Sequence, residues 1–254
     1  MDSSSPEAGA DAAHETGVEA GHEGGADAAS EAGEAGLDAS SEASSLATTA
    51  NLILNPGAEL STGSTDGTLV TGPIPDWDTS GEANVVQYGA SGGFPQSTDP
   101  GPTDRGTNFF TGGPSDPLSI FTQRIDLTPY AAFISQGNVT FTLSAYLGGY
   151  STQDDDATLT VLFLGTEDGG VPDDAEAVND DGGVITAGSN VLGSATIGPA
   201  TSADRAGATG LLPEMTTGAV PAGTVAVEVQ LVMTRYEGSY NDGYADNLSL
   251  TIGN

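Results

Sequence analysis

The densest chemistry in this chain lies near its carboxyl end. SYNDGYADNLSLTIGN, Ser239–Asn254, sets Tyr240, Asn241, Asp242, Tyr244, Asp246 and Asn247 into a glycine-bearing loop, and an alternating run, Leu248, Leu250 and Ile252, comes directly after it. Carboxylate and amide oxygens packed this closely suit a hard cation. They suit a polar turn feeding a last strand equally well, and Asn241–Asp242–Gly243 has the chemistry of a turn that tolerates positive φ. Tyr236, Tyr240 and Tyr244 could stack on a sugar ring or pack along a sheet edge with wet hydroxyls. A second patch, GGYSTQDDDA, Gly148–Ala157, gathers Tyr150, Gln153, Asp154, Asp155 and Asp156. It has the groups to chelate a cation or to bond sugar hydroxyls, or it is a charged hairpin that blunts edge pairing. Neither patch has EF-hand spacing.

Other chemistries are excluded by what is missing. There is no cysteine, so there are no disulfides, thiolate nucleophiles or Cys-based metal sites. There is no lysine, hence no Schiff base and no P-loop, and both histidines, His14 and His22, precede the β-rich body. Gly89-Ala90-Ser91-Gly92-Gly93 fits a nucleophile elbow in letters only, because Phe94-Pro95 stands where a helix should start and no histidine partner exists in the body. Paired carboxylates for glycoside hydrolysis are not singled out among so many acids. The chain is read as non-enzymatic. With 36 acidic residues against four basic ones and a formal charge of −32, it repels nucleic acid and anionic membranes and favours cations, calcium above all. Much of that charge serves only solubility.

Two compositional blocks must hold these residues. Residues 1–46 repeat Ala, Gly, Glu, Asp and Ser without an aromatic or an arginine, and no apolar stripe could dock them. They are expected to be a disordered acidic tail. No apolar h-region and no 18-residue apolar run occurs, so the sequence as given shows no signal peptide and no membrane span. Tails of this kind are expected just after an export signal or lipid anchor on an exposed bacterial protein, which places the chain outside the cell or on its surface.

Residues 47–254 alternate short β-rich runs with Gly, Pro, Asp and Ser. Strands are expected at Asn51–Leu54, Asn84–Tyr88, Asn108–Thr111, Ser119–Ile125, Val139–Leu147, Ala157–Leu164, Val191–Ile197, Thr224–Thr234 and Asn247–Ile252. Val139, Phe141, Leu143 and Ala145 share one face. Val225, Val227, Val229, Leu231 and Met233 share another, against Ala226, Glu228, Gln230 and Thr234, giving one buried and one solvated face. The fold expected is all-β, an antiparallel β-sandwich of jelly-roll type. One helical exception is TPYAAFIS, capped by Thr128 with Pro129 in its first turn.

Several stretches resemble galactose-binding-domain-like jelly rolls, a group that includes many carbohydrate-binding modules. NLILNPGAE, Asn51–Glu59, resembles the opening strand and turn, and IPDWDTSG, Ile74–Gly81, the segment after it, in which Trp77 is more often core than binding surface. FTQRIDLTPYAAFISQGNVTFTLSAYLGGY and the closing D-N-L-S-L continue the match over nearly all of 51–252. The sequence departs at about 165–189, where an acidic insertion replaces a short turn. That insertion is a binding feature or, in the favoured reading, an acidic ornament.

The resemblance implies that Glu59 and Asp246 sit together where the first and last strands meet, as side-chain ligands of a structural calcium. A dication between two carboxylates removes their repulsion. The alternative is that Glu59 caps a turn and Asp246 accepts backbone N–H bonds. With the loop tyrosines and the missing catalytic groups, the resemblance points to a non-catalytic binding module for polysaccharide or surface glycan, and a monomer is expected. Tyr150, Gln153, Asp154, Tyr236, Tyr240 and Asp242 are the expected ligand contacts. The competing expectation is a surface structural or adhesive protein that uses the sandwich for protein–protein contact.

Overall fold

The computed structural model describes residues 45–166 and 190–254. Ten strands form two antiparallel sheets: β1 (Asp78–Ser80), β2 (Asn84–Gln87), β3 (Asn108–Gly113), β4 (Leu118–Asp126), β5 (Thr140–Gly149), β6 (Asp156–Leu164), β7 (Val191–Ile197), β8 (Gly210–Ala219), β9 (Ala226–Thr234) and β10 (Asn241–Gly253). The first sheet has the order β1-β4-β9-β6-β7 and the second β2-β3-β10-β5-β8. Only β2–β3 and β6–β7 are hairpins within a sheet. Every other connection changes sheets, which makes the sandwich a jelly roll.

The period-two patterns set the inner faces. Phe141, Leu143, Ala145 and Leu147 of β5 meet Leu159, Val161 and Phe163 of β6 and Val227, Val229, Leu231 and Met233 of β9 in one core. Trp77 lies in it at 5% exposure, edge-on to Phe110 and Phe121, and its indole N–H donates to the Asn55 carbonyl. Among the described residues no helix is long and apolar enough to cross a membrane.

Five local expectations are corrected. Asn51–Leu54 is not a strand but an extended segment clipped to the free edge of β10: Thr49 N donates to Ile252 O and Leu52 N to Leu250 O. Asn241–Asp242–Gly243 is the start of β10 rather than a turn, and the positive φ falls on Gly238. Sheet pairing with β3 overrides the local turn preference there. The Gly148–Ala157 stretch is no hairpin, because β5 and β6 belong to different sheets. Glu228 and Gln230 are buried rather than solvated, because β9 is a central strand with neighbours on both sides, and the Gln230 amide donates to the Glu228 carboxylate.

The fifth concerns TPYAAFIS, a 3-10 turn, Thr128–Tyr130, running into a single α-turn, Ala131–Ile134. Thr128 does not cap it. The Asp126 carboxylate instead accepts the Thr128 N–H and hydroxyl. Two elements carried no clear sequence signal, β1 and β8. The acidic tail, up to residue 44, and the insertion from 167 to 189 lie outside the described residues. The insertion's flanks are paired, with Gly165 N donating to Asn190 O and β6 against β7.

Candidate functional site

The amino-terminal segment is registered on β10 by Asn51, whose side-chain amide donates to Leu248 O and accepts from Leu250 N. Leu248 N in turn donates to Pro56 O. These bonds press the Pro56–Glu59 turn against a bulge in β10 between Asp246 and Ser249. Three non-glycine residues here have positive φ: Asn55 at 45°, Ala58 at 60° and Asn247 at 49°. Such strain persists only where the surroundings fix it. Asn55 is fixed by its side chain, which accepts from Leu60 N and donates to Pro75 O.

Gly57 lies beside the Asp246 carboxylate and the stem of Glu59, while the Glu59 carboxylate itself lies against Gly106. A β-carbon on Gly57 would lie 3.0 Å from Asp246 Oδ1, 3.5 Å from Asn247 Oδ1 and 3.8 Å from Glu59 Cγ, so only glycine leaves the space between these groups open. Glu59 Oε1 accepts the N–H groups of Thr107 and Asn108 at 2.9 and 2.8 Å. Asp246 Oδ1 accepts Asn247 N, and Oδ2 accepts the Tyr88 hydroxyl, both at 2.7 Å. Asp104 joins the group by accepting from the Asn247 amide.

Asp246 is fully buried. Burial pushes its carboxyl up to about 7, with the charges of Glu59 and Asp104 adding to that and the bonds from Tyr88 and Asn247 opposing it. The Tyr88 phenol is pushed up by burial and by the Asp246 charge. The nearest cation, Arg105, sits 4.9 Å over the Tyr88 ring and donates to the carbonyls of Gln96, Asp99 and Pro102, not to Asp246. A buried carboxylate with no ion pair among the described residues, with an amide oxygen beside it and the charges of Glu59 and Asp104 within electrostatic reach, is a partial donor set for a hard dication. Among the described residues no three acidic side chains converge as a ready-made cage, so main-chain oxygens would have to complete the shell.

The loops at the far ends of β5 and β9 hold the other expected residues. Arg205, 5% exposed, organises them. Its guanidinium donates to the carbonyls of Gly149, Ser151, Gln153 and Ala208. Asp155, 1% exposed, accepts three main-chain N–H groups, from Tyr236, Glu237 and Asp242, and so ties the β9–β10 loop to the β5–β6 loop. Asp242 accepts the Tyr244 hydroxyl at 2.6 Å and is pushed up to about 6, chiefly by burial.

Tyr240 packs edge-on against Phe94, and its hydroxyl accepts from Asn84. Tyr150 packs beside the same aromatic cluster of Phe94, Phe109 and Tyr244. Asp154 is exposed and accepts from Ser202, and Tyr236 is 64% exposed. Gln153 places its carbonyl on Arg205, while its Oε1 is buried without a partner. The structure therefore groups Gln153, Asp154, Tyr236 and Asp242 around Asp155 and turns Tyr150 and Tyr240 toward the aromatic cluster.

One surface was not anticipated from the sequence. On β5, Thr142, Ser144 and Tyr146 point away from the core. Ser249 and Thr251 of β10 and Met215 and Thr217 of β8 stand directly opposite Ser144 and Thr142. This outer face is half-buried to exposed and carries no charge. Tyr146 borders it, paired with Asp246 on one side and Pro213 on the other. The signal was available: Thr142, Ser144 and Tyr146 alternate with the core residues of their strand.

No protein-family model matches the chain, and no curated protein matches it. Among solved structures it is similar to a cyclase from Fischerella sp., with 13% identity, 81% of this chain and 96% of that one covered, and a TM-score of 0.46. It is similar to the carbohydrate-binding module CBM61 in complex with β-1,4-galactotriose, with 14% identity, 80% and 98% covered, and a TM-score of 0.41. A third is the CBM22-1–GH10 part of Clostridium thermocellum xylanase 10B complexed with xylohexaose, with 10% identity, 70% and 26% covered, and a TM-score of 0.34. Likenesses of this size assign no function.

Proposed function

We propose that the sandwich is a non-catalytic carbohydrate-binding module, with a structural calcium held by Glu59 and Asp246, on an exported or surface protein. The observation that carries this is the uncharged hydroxyl face of β8, β5 and β10. In a chain of −32, three adjacent strands offer Thr140, Thr142, Thr217, Thr251, Ser144, Ser249 and Met215, with Ala219 and Pro213, beside the Tyr146 ring. Such a surface suits a neutral, hydroxyl-bearing chain. It has donors and acceptors to match hydroxyls, an aromatic edge for a ring face, and no charge to desolvate. Calcium would act at a distance from the sugar. It would neutralise Asp246 beside Tyr146 and fix the strained turn, and it would take no part in chemistry.

The test is retardation in gels containing β-1,4-galactan or xylan, the classes of sugar seen with the two binding modules above. Thr217→Glu combined with Thr251→Glu, on the two strands that flank β5, places two carboxylates on the face without setting them opposite each other and without touching the core. This variant is expected to lose at least tenfold in affinity with an unchanged melting temperature. Equal retardation of parent and variant would remove the face from the site. A second reading, protein–protein contact, is favoured by β8, a ten-residue outer strand bearing Met215 at 68% exposure. Concentration-dependent self-association abolished by Met215→Lys would support it.

A further inference from the structure

At the opposite edge of the second sheet, the loop from Leu60 to Pro75 closes over Gln87 around a cavity of about 660 Å³. The walls are built before any ligand arrives. Asn84 accepts from Val70 N and donates to the carbonyls of Gly67 and Thr68. The Gln87 amide donates to Gly63 O. Ser64 N donates to Val85 O, and Gln87 N donates to Ser64 O, so the loop is sewn to the free edge of β2. Asp66, the one charged residue of the lining, has its Oδ1 engaged by the Ser64 hydroxyl, Thr68 N and the Thr68 hydroxyl. It is occupied in shaping the loop rather than in attracting a cation.

What remains is neutral and two-sided. Leu60 and Leu69 form an exposed apolar rim, at 65% and 46% exposure, and Pro73 also lines the cavity. Inside are loop hydroxyls and the Gln87 side chain. The Ser61 hydroxyl, also of the lining, is buried and has no hydrogen-bond partner. That hydroxyl is closed off from solvent, so the other loop hydroxyls and Gln87 form the polar side of the cavity. A purely apolar ligand would strand the polar interior. A pyranose has the required shape, with a C–H face for the leucines and hydroxyls at its edge. The volume lies within the range of preformed small-ligand sites.

We infer that this cavity is a second carbohydrate subsite, which takes one end of a neutral oligosaccharide independently of the hydroxyl face. It rests on the reading that the domain binds neutral glycans. The experiment is a titration of the isotope-labelled protein with β-1,4-galactotriose and with xylohexaose, monitored by amide chemical shifts. Leu60→Asp and Leu69→Asp, both at exposed positions, are run in parallel. With at least one of the two probes, the amides of Leu60–Pro75 should shift in the parent, and each variant should weaken that response at least tenfold while leaving shifts at Thr142 and Ser249 intact. Shifts confined to the hydroxyl face would overturn the subsite and leave the binding function standing. No shift anywhere with either sugar would overturn both.

Discussion

Arg205→Ala should be the most damaging single change in the described part of the chain. A loss of about 4 kcal/mol of unfolding free energy is expected in urea denaturation. Arg205 is the buried cation of this corner of the fold, and it faces main-chain carbonyls rather than carboxylates. Without it the carbonyls of Gly149, Ser151, Gln153 and Ala208 lose their donor in a place where Arg205 itself is almost wholly buried. Arg205→Lys should recover less than half of the loss, because one ammonium has three donors and no planar fork. Burial lowers the Arg205 pKa, with Tyr244, Asp154 and Asp242 opposing that shift, yet a guanidinium stays charged throughout the working range. The guanidinium itself adds no pH dependence between about 5 and 9, while the loss should grow somewhat as Asp242 ionises at about 6, because Arg205 favours that charge. Since the same bonds hold Tyr150–Asp154, any ligand contact made there should fail in step with the loop.

With calcium chelated, the protein should become less stable as pH rises from about 4 to about 7. Asp246 is pushed up to about 7, and Asp156 and Asp242 to about 6, in each case mainly by burial. Below about pH 4 these groups are protonated in both the folded and the unfolded chain, and their contribution is fully present. As pH rises the unfolded chain ionises first, near the ordinary carboxylate value, while the folded chain must keep its protons or accept a buried charge. Stability is therefore lost through the window and levels off once the folded groups ionise. For Asp246 alone the displacement is worth about 4 kcal/mol. Asp156 and Asp242, being partly exposed, add in the same direction but less. Urea titrations at about pH 4.5 and 7.5 in chelator should show this fall. Stability that rose with pH would mean that Asp246 is already paired with a cation other than calcium.

How far the sequence could be read depended on what each residue's neighbours did. Regular alternation made β5, β6 and β9 plain, and Trp77 was placed in the core as expected. β8, GLLPEMTTGA, was hidden because Gly210, Pro213 and Gly218 interrupt any pattern. The structure tolerates Pro213 because β8 is an outer strand, where a missing N–H need not break a ladder. Asp155 could not be told from Asp154 and Asp156. Composition marks all three as solvated, and only the change of sheet after β5 buries the middle one against three N–H groups.

Arg205 gave no signal either, since carbonyl acceptors leave no trace in side-chain types. Asp66, Asp126 and Asp204 read as generic surface charge. They turn out to clasp Thr68, Thr128 and Thr201, whose hydroxyl and N–H groups hold those carboxyls below their ordinary value. The hydroxyl face was legible in principle, but threonine and serine on an outer face carry no signal apart from their register with neighbouring strands. Of the candidate site, the pairing of Glu59 with Asp246 was implied by resemblance alone; the coordinates add that Gly57 stands beside Asp246 and the Glu59 stem, and that the Glu59 carboxylate is turned to Gly106.

The most direct test is calorimetry at about pH 7.5 on the parent and on Asp246→Asn, each with millimolar calcium and with chelator. A dication resting between the ends of the sandwich predicts a clear rise in the parent's melting temperature on adding calcium. It also predicts a variant that ignores calcium and melts above the chelated parent, because its amide needs no neutralising. Four coincident melts, or a variant that still responds to calcium as the parent does, would contradict it.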